Sequence, residues 1–147
     1  MSTDTQTHNE HILELKNLVV DYGIIRAIKG IDLNVKRGSI VAILGANGAG
    51  KTTTIRTING LVKAAEGKIL FNGEDVTNQE PYRLAKLGMS QSPEGRMILS
   101  GLTVEENLNV GAYSIKPETS EGKKITKTQL RKKTLDEVYD LFPVLKE

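Results

Sequence analysis

Between Gly45 and Thr52 the chain reads Gly-Ala-Asn-Gly-Ala-Gly-Lys-Thr, which fits the pattern G-x-x-x-x-G-K-[ST] without exception. The residues before it, Ser39 to Leu44 (SIVAIL), form an apolar run rich in β-branched side chains, as expected of a strand buried on both faces. Lys51 to Asn59, after it, reads as a helix stopped by Gly60, with Ile55 and Ile58 on one face. A strand, a glycine-rich loop and a helix in that order are the arrangement in which this motif has meaning, and they suit an α/β architecture. They also give the loop a chemistry. A backbone that wraps a phosphate must turn its N–H groups inward, and Gly45, Gly48 and Gly50 can reach the angles this needs. The helix that starts at the phosphate adds free N–H donors and the positive end of its dipole. Ala46, Asn47 and Ala49 complete the loop. Lys51 is expected to place an ammonium on the β and γ phosphates of a nucleoside triphosphate. The Thr52 hydroxyl is expected to ligate Mg²⁺, and Thr53 to reach the α-phosphate. The competing reading is a tight structural turn. With glycine near ~7% of residues, a chance match in a chain this long arises roughly once in a few hundred.

The flanking segments fill in the organisation. Ile12 to Val20 mixes apolar and polar residues and reads as a strand ended by Asp21-Tyr22-Gly23, with Ile24 to Ile28 as its return partner. Ile31, Leu33 and Val35 alternate with Asp32 and Asn34, which predicts one wet face, and Arg37-Gly38 predicts a turn. Gly67 to Phe71 reads as a short strand leading into an Asn72-Gly73 turn. Pro81 to Leu87 has the proline start of a helix and ends at Gly88. Thr103 and Glu106 form a capping box for a helix reaching about Tyr113. Lys116 to Thr126 is polar and loop-like. From about Thr128 to Phe142, Leu135, Val138, Tyr139 and Phe142 make one apolar stripe at helical spacing.

Composition excludes several classes. The 147 residues are 38% hydrophobic and 26% charged, within the range of a globular domain. The chain contains no cysteine, so disulfides, thiolate metal sites and cysteine nucleophiles are out. Net charge is +2 and aromatic content 4%, which argues against a polyanionic partner and against stacking surfaces for nucleic acid. A basic stretch (Lys116, Lys123, Lys124, Lys127, Arg131, Lys132 and Lys133, against Glu118 and Glu121) reads as a solvated loop and helix face. No apolar run approaches the ~20 residues of a membrane-spanning helix. The opening MSTDTQTHNEH lacks the features of a signal peptide and is expected to be a disordered tail over residues 1–11.

Taken with Tyr22 and with Ser90–Val104, the phosphate loop makes the chain resemble the ATP-binding subunits of ABC transporters. It looks most like those of branched-chain amino-acid importers. The resemblance runs from Leu13 to Glu147 and rests on VVDYG, AIKGIDLNVKRGSIVAILGANGAGKTTTIRTINGL, GKILFNGEDVT, SPEGRMILSGLTVEENLNVGAY and VYDLFPVLKE. It implies a P-loop NTPase core with an N-terminal antiparallel β part over residues 12–94 and the start of a helical subdomain from about 95 to 147. It implies ATP and Mg²⁺ as ligands, with Tyr22 stacked on adenine. The family has a glutamine in the region of Ser90–Arg96, following a proline, that touches the Mg²⁺ site and faces the membrane subunit. The matching position here, after Pro93, is Glu94, in the form PEGR; Gln91 is the alternative. Glu94 would thus be a metal contact, and Glu94, Gly95 and Arg96 a permease contact. An anion there could ligate Mg²⁺ but would repel the γ-phosphate.

The family's serine-glycine-glycine signature, its Mg²⁺-linked aspartate with the catalytic glutamate, and its switch histidine have no counterpart in these residues. His8 and His11 fall in the tail, and Asp75, Asp136 and Asp140 end no apolar strand. The resemblance therefore implies the N-terminal part of a longer protein, with no catalytic residue of its own and with SIVAIL exposing an apolar edge. The complete protein would hydrolyse ATP as a homo- or heterodimer. It would sit on the cytoplasmic face of a membrane through permease subunits and drive solute uptake. The alternatives are a nucleotide-binding module without turnover and a soluble ABC-type ATPase of translation or DNA repair. Absent aromatic–basic interleaving weighs against the last.

Overall fold

The computed structural model describes residues 10–95, 97–120 and 123–146, which fall into two compact units, one ending at Gln91 and the other beginning at Ser92. Arg96 and residues 1–9 lie outside the described residues.

The first unit is built on a four-stranded antiparallel sheet in the order β2-β1-β3-β4. Its strands are β1 (His11–Tyr22), β2 (Ile25–Lys36), β3 (Glu66–Phe71) and β4 (Glu74–Asp75). The two segments expected after Tyr22 are one continuous strand, β2. Its second half keeps the alternation read from the sequence, with Ile31, Leu33 and Val35 half-buried and Asp32 and Asn34 exposed. Two residues of the expected tail, Glu10 and His11, are tied to the sheet. His11 opens β1, the Glu10 carbonyl accepts from the Arg37 N–H, and the Glu10 carboxylate pairs with Lys36.

The irregular pattern of β1 has a local cause. A bulge falls between Leu15 and Leu18, where Asn17 takes a positive φ of 47° and its N–H bonds Asp32 Oδ1 at 2.9 Å. The extra residue resets the alternation, so that Leu15, Leu18 and Val20 all join the core. Gly67 on β3 packs against this bulge; a Cβ there would overlap the Asn17 carbonyl. The turn from β3 to β4 is Asn72-Gly73, with φ of 52° and 84°, the left-handed pair a two-residue hairpin requires.

Helix α1 (Lys51–Ile58) and helix α2 (Pro81–Lys86) each give one residue, Ile58 and Leu84, to the core formed by Leu15, Leu18, Val20, Ile28, Ile69 and Val76. The buried side of α1 is not the expected Ile55–Ile58 face. Thr54, Thr57 and Ile58 are buried and Ile55 is partly exposed. Threonine can be buried here because Thr54 Oγ1 donates to the Gly50 carbonyl at 2.9 Å and Thr57 Oγ1 to that of Thr53 at 2.8 Å.

The segment Ser39–Leu44 departs most from expectation. It pairs with no strand among the described residues, and Ile40 and Leu44 are 99% and 89% exposed. A two-face buried strand needs neighbours on both edges, and the described strands all pair elsewhere.

The second unit holds α3 (Val104–Gly111), a 3-10 turn (Ala112–Ser114), the antiparallel pair β5 (Glu118–Ser120) and β6 (Lys123–Ile125), and α4 (Lys127–Leu141). The β5–β6 pair replaces the loop expected between Lys116 and Thr126. Both helices open with complete capping boxes, Thr103 with Glu106 and Thr126 with Gln129. Lys127 Nζ reaches the Tyr113 carbonyl at 3.1 Å, and Arg131 Nη2 bonds Asn109 Oδ1 at 2.9 Å, so polar bonds join α4 to the α3 end.

Candidate phosphate-binding site

The loop Gly45–Gly50 enters α1 through Gly50, whose φ of 88° is a left-handed conformation that only glycine adopts without strain. Gly50 also lies close to β2. A Cβ on it would stand 3.3 Å from the Ala27 carbonyl oxygen, so the missing side chain lets the loop seat against the sheet. Gly48 has a φ of 82° but open space around it, so the backbone angle alone selects glycine there. The Ala49 N–H closes a turn onto the Ala46 carbonyl at 3.2 Å.

Helix α1 begins with no side chain capping it and no acidic residue in its first turn. A helix start leaves its first N–H groups without intrahelical partners, and an uncapped start free of acidic residues suits an anion. Lys51 lies over the same loop, its Nζ donating to the Gly45 and Ala46 carbonyls at 2.8 Å each. Thr52 is exposed and Thr53 half-buried at the helix start. The structure therefore brings Gly45, Ala46, Asn47, Gly48, Ala49, Gly50, Lys51, Thr52 and Thr53 together as one loop and helix turn.

Tyr22 ends β1 opposite Ile25, next to the Gly23-Ile24 turn, and is 46% exposed. The β1–β2 hairpin thus carries Tyr22 at its tip, and its second strand carries Ala27, the residue against which Gly50 packs. A charged group ties this end of the sheet together. Arg26 donates to both Asp21 oxygens at 3.0 and 3.2 Å and to Glu66 Oε1 at 3.1 Å. The Asp21 carboxylate, and then Glu66, hold the Arg26 guanidinium above its ordinary pKa. Neither this tie nor the Ala27 support carries a motif, because each is a cross-strand relation that appears only once the register is known.

Glu94 and Gly95 belong to the second unit, and Arg96 lies outside the described residues. No cluster of three or more His, Cys, Asp or Glu residues able to hold a metal occurs among the described residues. No helix among them is long and apolar enough to cross a membrane.

A left-handed glycine loop closed by a lysine and opening an uncapped helix defines the P-loop class of phosphate-binding folds. Comparison narrows it. Residues 28–143 match the family model described as "ABC transporter". A high-affinity branched-chain amino acid transport ATP-binding protein, BraG, of Pseudomonas aeruginosa is 37% identical over 126 residues, which cover 86% of this chain and 49% of that protein. A probable branched-chain amino acid transport ATP-binding protein, LivF, of Archaeoglobus fulgidus is 31% identical, covering 92% of this chain and 52% of its own length. Among solved structures, the ADP conformation of MJ1267, an ATP-binding cassette of an ABC transporter, is similar with a TM-score of 0.64 at 38% identity. It covers 69% of this chain and 40% of that one. The chain belongs to the ABC transporter family. It spans about half the length of these two curated relatives.

Proposed function

We propose that this chain binds Mg²⁺-ATP as part of the nucleotide-binding subunit of an ABC importer, whose complete form hydrolyses ATP to drive uptake of a solute, with branched-chain amino acids as the leading class. The observation that carries the reading is the cradle itself: Lys51 folded over the left-handed loop that opens an uncapped α1. The donor set suits a polyphosphate. Backbone N–H groups and the helix dipole favour an anion, and the ammonium, now held by two carbonyls, can turn to phosphate oxygens without leaving the loop.

In this reading the main-chain N–H groups from Gly48 to Thr53 surround the phosphates, and Lys51 neutralises the β and γ charges. The Thr52 hydroxyl would hold Mg²⁺. One hydroxyl is a sparse ligand set, but Mg²⁺ in such sites takes its remaining ligands from phosphate and water. The metal, when bound, neutralises charge developing on the phosphate oxygens. Tyr22, exposed at the hairpin tip, offers a flat face to adenine. Glu94, Gly95 and Arg96 form the contact with membrane-spanning permease subunits. The solute class rests on the printed names of the relatives.

The test is a nucleotide series. If the cradle reads phosphates, affinity in the presence of Mg²⁺ falls steeply from ATP and ADP to AMP, and adenosine binds weakest. Equal affinity for ATP and adenosine would place the binding energy on the base and contradict the reading.

A further inference from the structure

Asn107, in the first turn of α3, makes more side-chain hydrogen bonds than that helix needs. Its Oδ1 accepts from the Leu99 N–H at 2.9 Å. Its Nδ2 lies 3.1 Å from the Leu99 carbonyl, 3.2 Å from that of Leu102 and 2.9 Å from that of Thr103. An amide has two N–H protons and one carbonyl, so the two protons are shared among three acceptors and the oxygen is used as well. Leu99 thus has both its backbone groups satisfied by one side chain, as a strand would satisfy them. The Leu102 N–H closes the turn onto the Leu99 carbonyl at 3.0 Å, and Glu106 holds the Thr103 N–H at 2.8 Å.

The geometry points to Asn107 as a positioning residue that welds the turn Leu99–Thr103 to α3, so that turn and helix move as one body. Leu99 and Leu102 are both partly exposed apolar side chains on that turn. Without the bonds, such a turn would sample many conformations, since a short exposed loop has little packing to hold it. Only a side chain carrying a donor pair and an acceptor on one carbon can serve. Aspartate has the same shape and keeps an acceptor for the Leu99 N–H, but sets oxygen against three carbonyl oxygens.

Amide hydrogen exchange by NMR on the full chain tests it. In the parent, the Leu99 N–H and the Asn107 side-chain amide exchange slowly compared with the side-chain amide of exposed Asn34. In Asn107→Asp, the Leu99 N–H exchanges about tenfold faster or more, while amides in the middle of α4 keep their rates. Unchanged Leu99 exchange in Asn107→Asp would overturn the assignment. Should the variant speed α4 exchange too, the parent decides: a slow Asn107 side-chain amide supports the weld, and one exchanging as fast as that of Asn34 refutes it.

Discussion

The Lys51 ammonium donates to two carbonyls of its own loop, so the cation already lies over that loop. The motif was readable because it is local: eight consecutive residues fix both the glycine angles and the lysine position. Tyr22 follows from family resemblance alone, and the structure leaves it accessible at a hairpin tip. If that ring stacks on the base, Tyr22→Ala weakens ATP and GTP by similar factors, about 1–3 kcal/mol each, since every base offers a π-face. Titrations with both nucleotides check this, and parental affinity for both would remove Tyr22 from the site. Thr54 and Thr57 were not legible as core residues. Their burial depends on back-bonding to Gly50 and Thr53, which polarity alone does not announce.

Element by element, the sequence was most legible where one residue type dictates backbone geometry. The Asn72-Gly73 hairpin, the Pro81 start of α2 and the Thr103 capping box all came through. The β1 bulge did not, because it shows only when Gly67 and Asn17 are seen pressed together. Gly67→Ala, at a φ of +87° against the Asn17 carbonyl, is expected to destabilise the first unit by about 1–3 kcal/mol, read as a lower urea midpoint by circular dichroism. Leu18→Ala, at a fully buried position, should cost about 2–5 kcal/mol in the same assay. Ser39–Leu44 looked like a strand because β-branched apolar runs usually are, yet composition cannot supply the neighbours a strand needs. Polarity likewise hid the β5–β6 pair, whose bonds are backbone. The capping of α3 has a pH signature. Hydrogen bonds from the Thr103 N–H, and then from its hydroxyl, hold the Glu106 carboxyl below its ordinary value of 4.5. A lowered folded pKa means the stabilisation is fully present above that ordinary value and is lost as pH falls through the folded one. Exchange of the Thr103 N–H, corrected for intrinsic rates, should therefore lose protection below pH 4.5, and Glu106→Ala should abolish the effect.

At the scale of the whole molecule, the chain pairs a sheet-based unit carrying the phosphate loop with a helical unit carrying Glu94. It spans about half the length of the BraG and LivF relatives. That the family could be read at all follows from the loop and its flanking strings. How a complete ATP-hydrolysing protein would turn over could not, because the sequence reading assigns no residue here to orient water on the γ-phosphate. The 147 residues by themselves are accordingly expected to release no phosphate above background with Mg²⁺, even with a permease present. Steady release that disappears in Lys51→Ala would show that Glu94 or another group serves as the base. The central claim is binding, and its most direct measurement is equilibrium titration of a fluorescent ATP analogue against the parent chain and Lys51→Ala, with circular dichroism showing both folded alike. Saturable binding by the parent and severe loss in Lys51→Ala is the predicted result; equal affinity in the two would contradict the account.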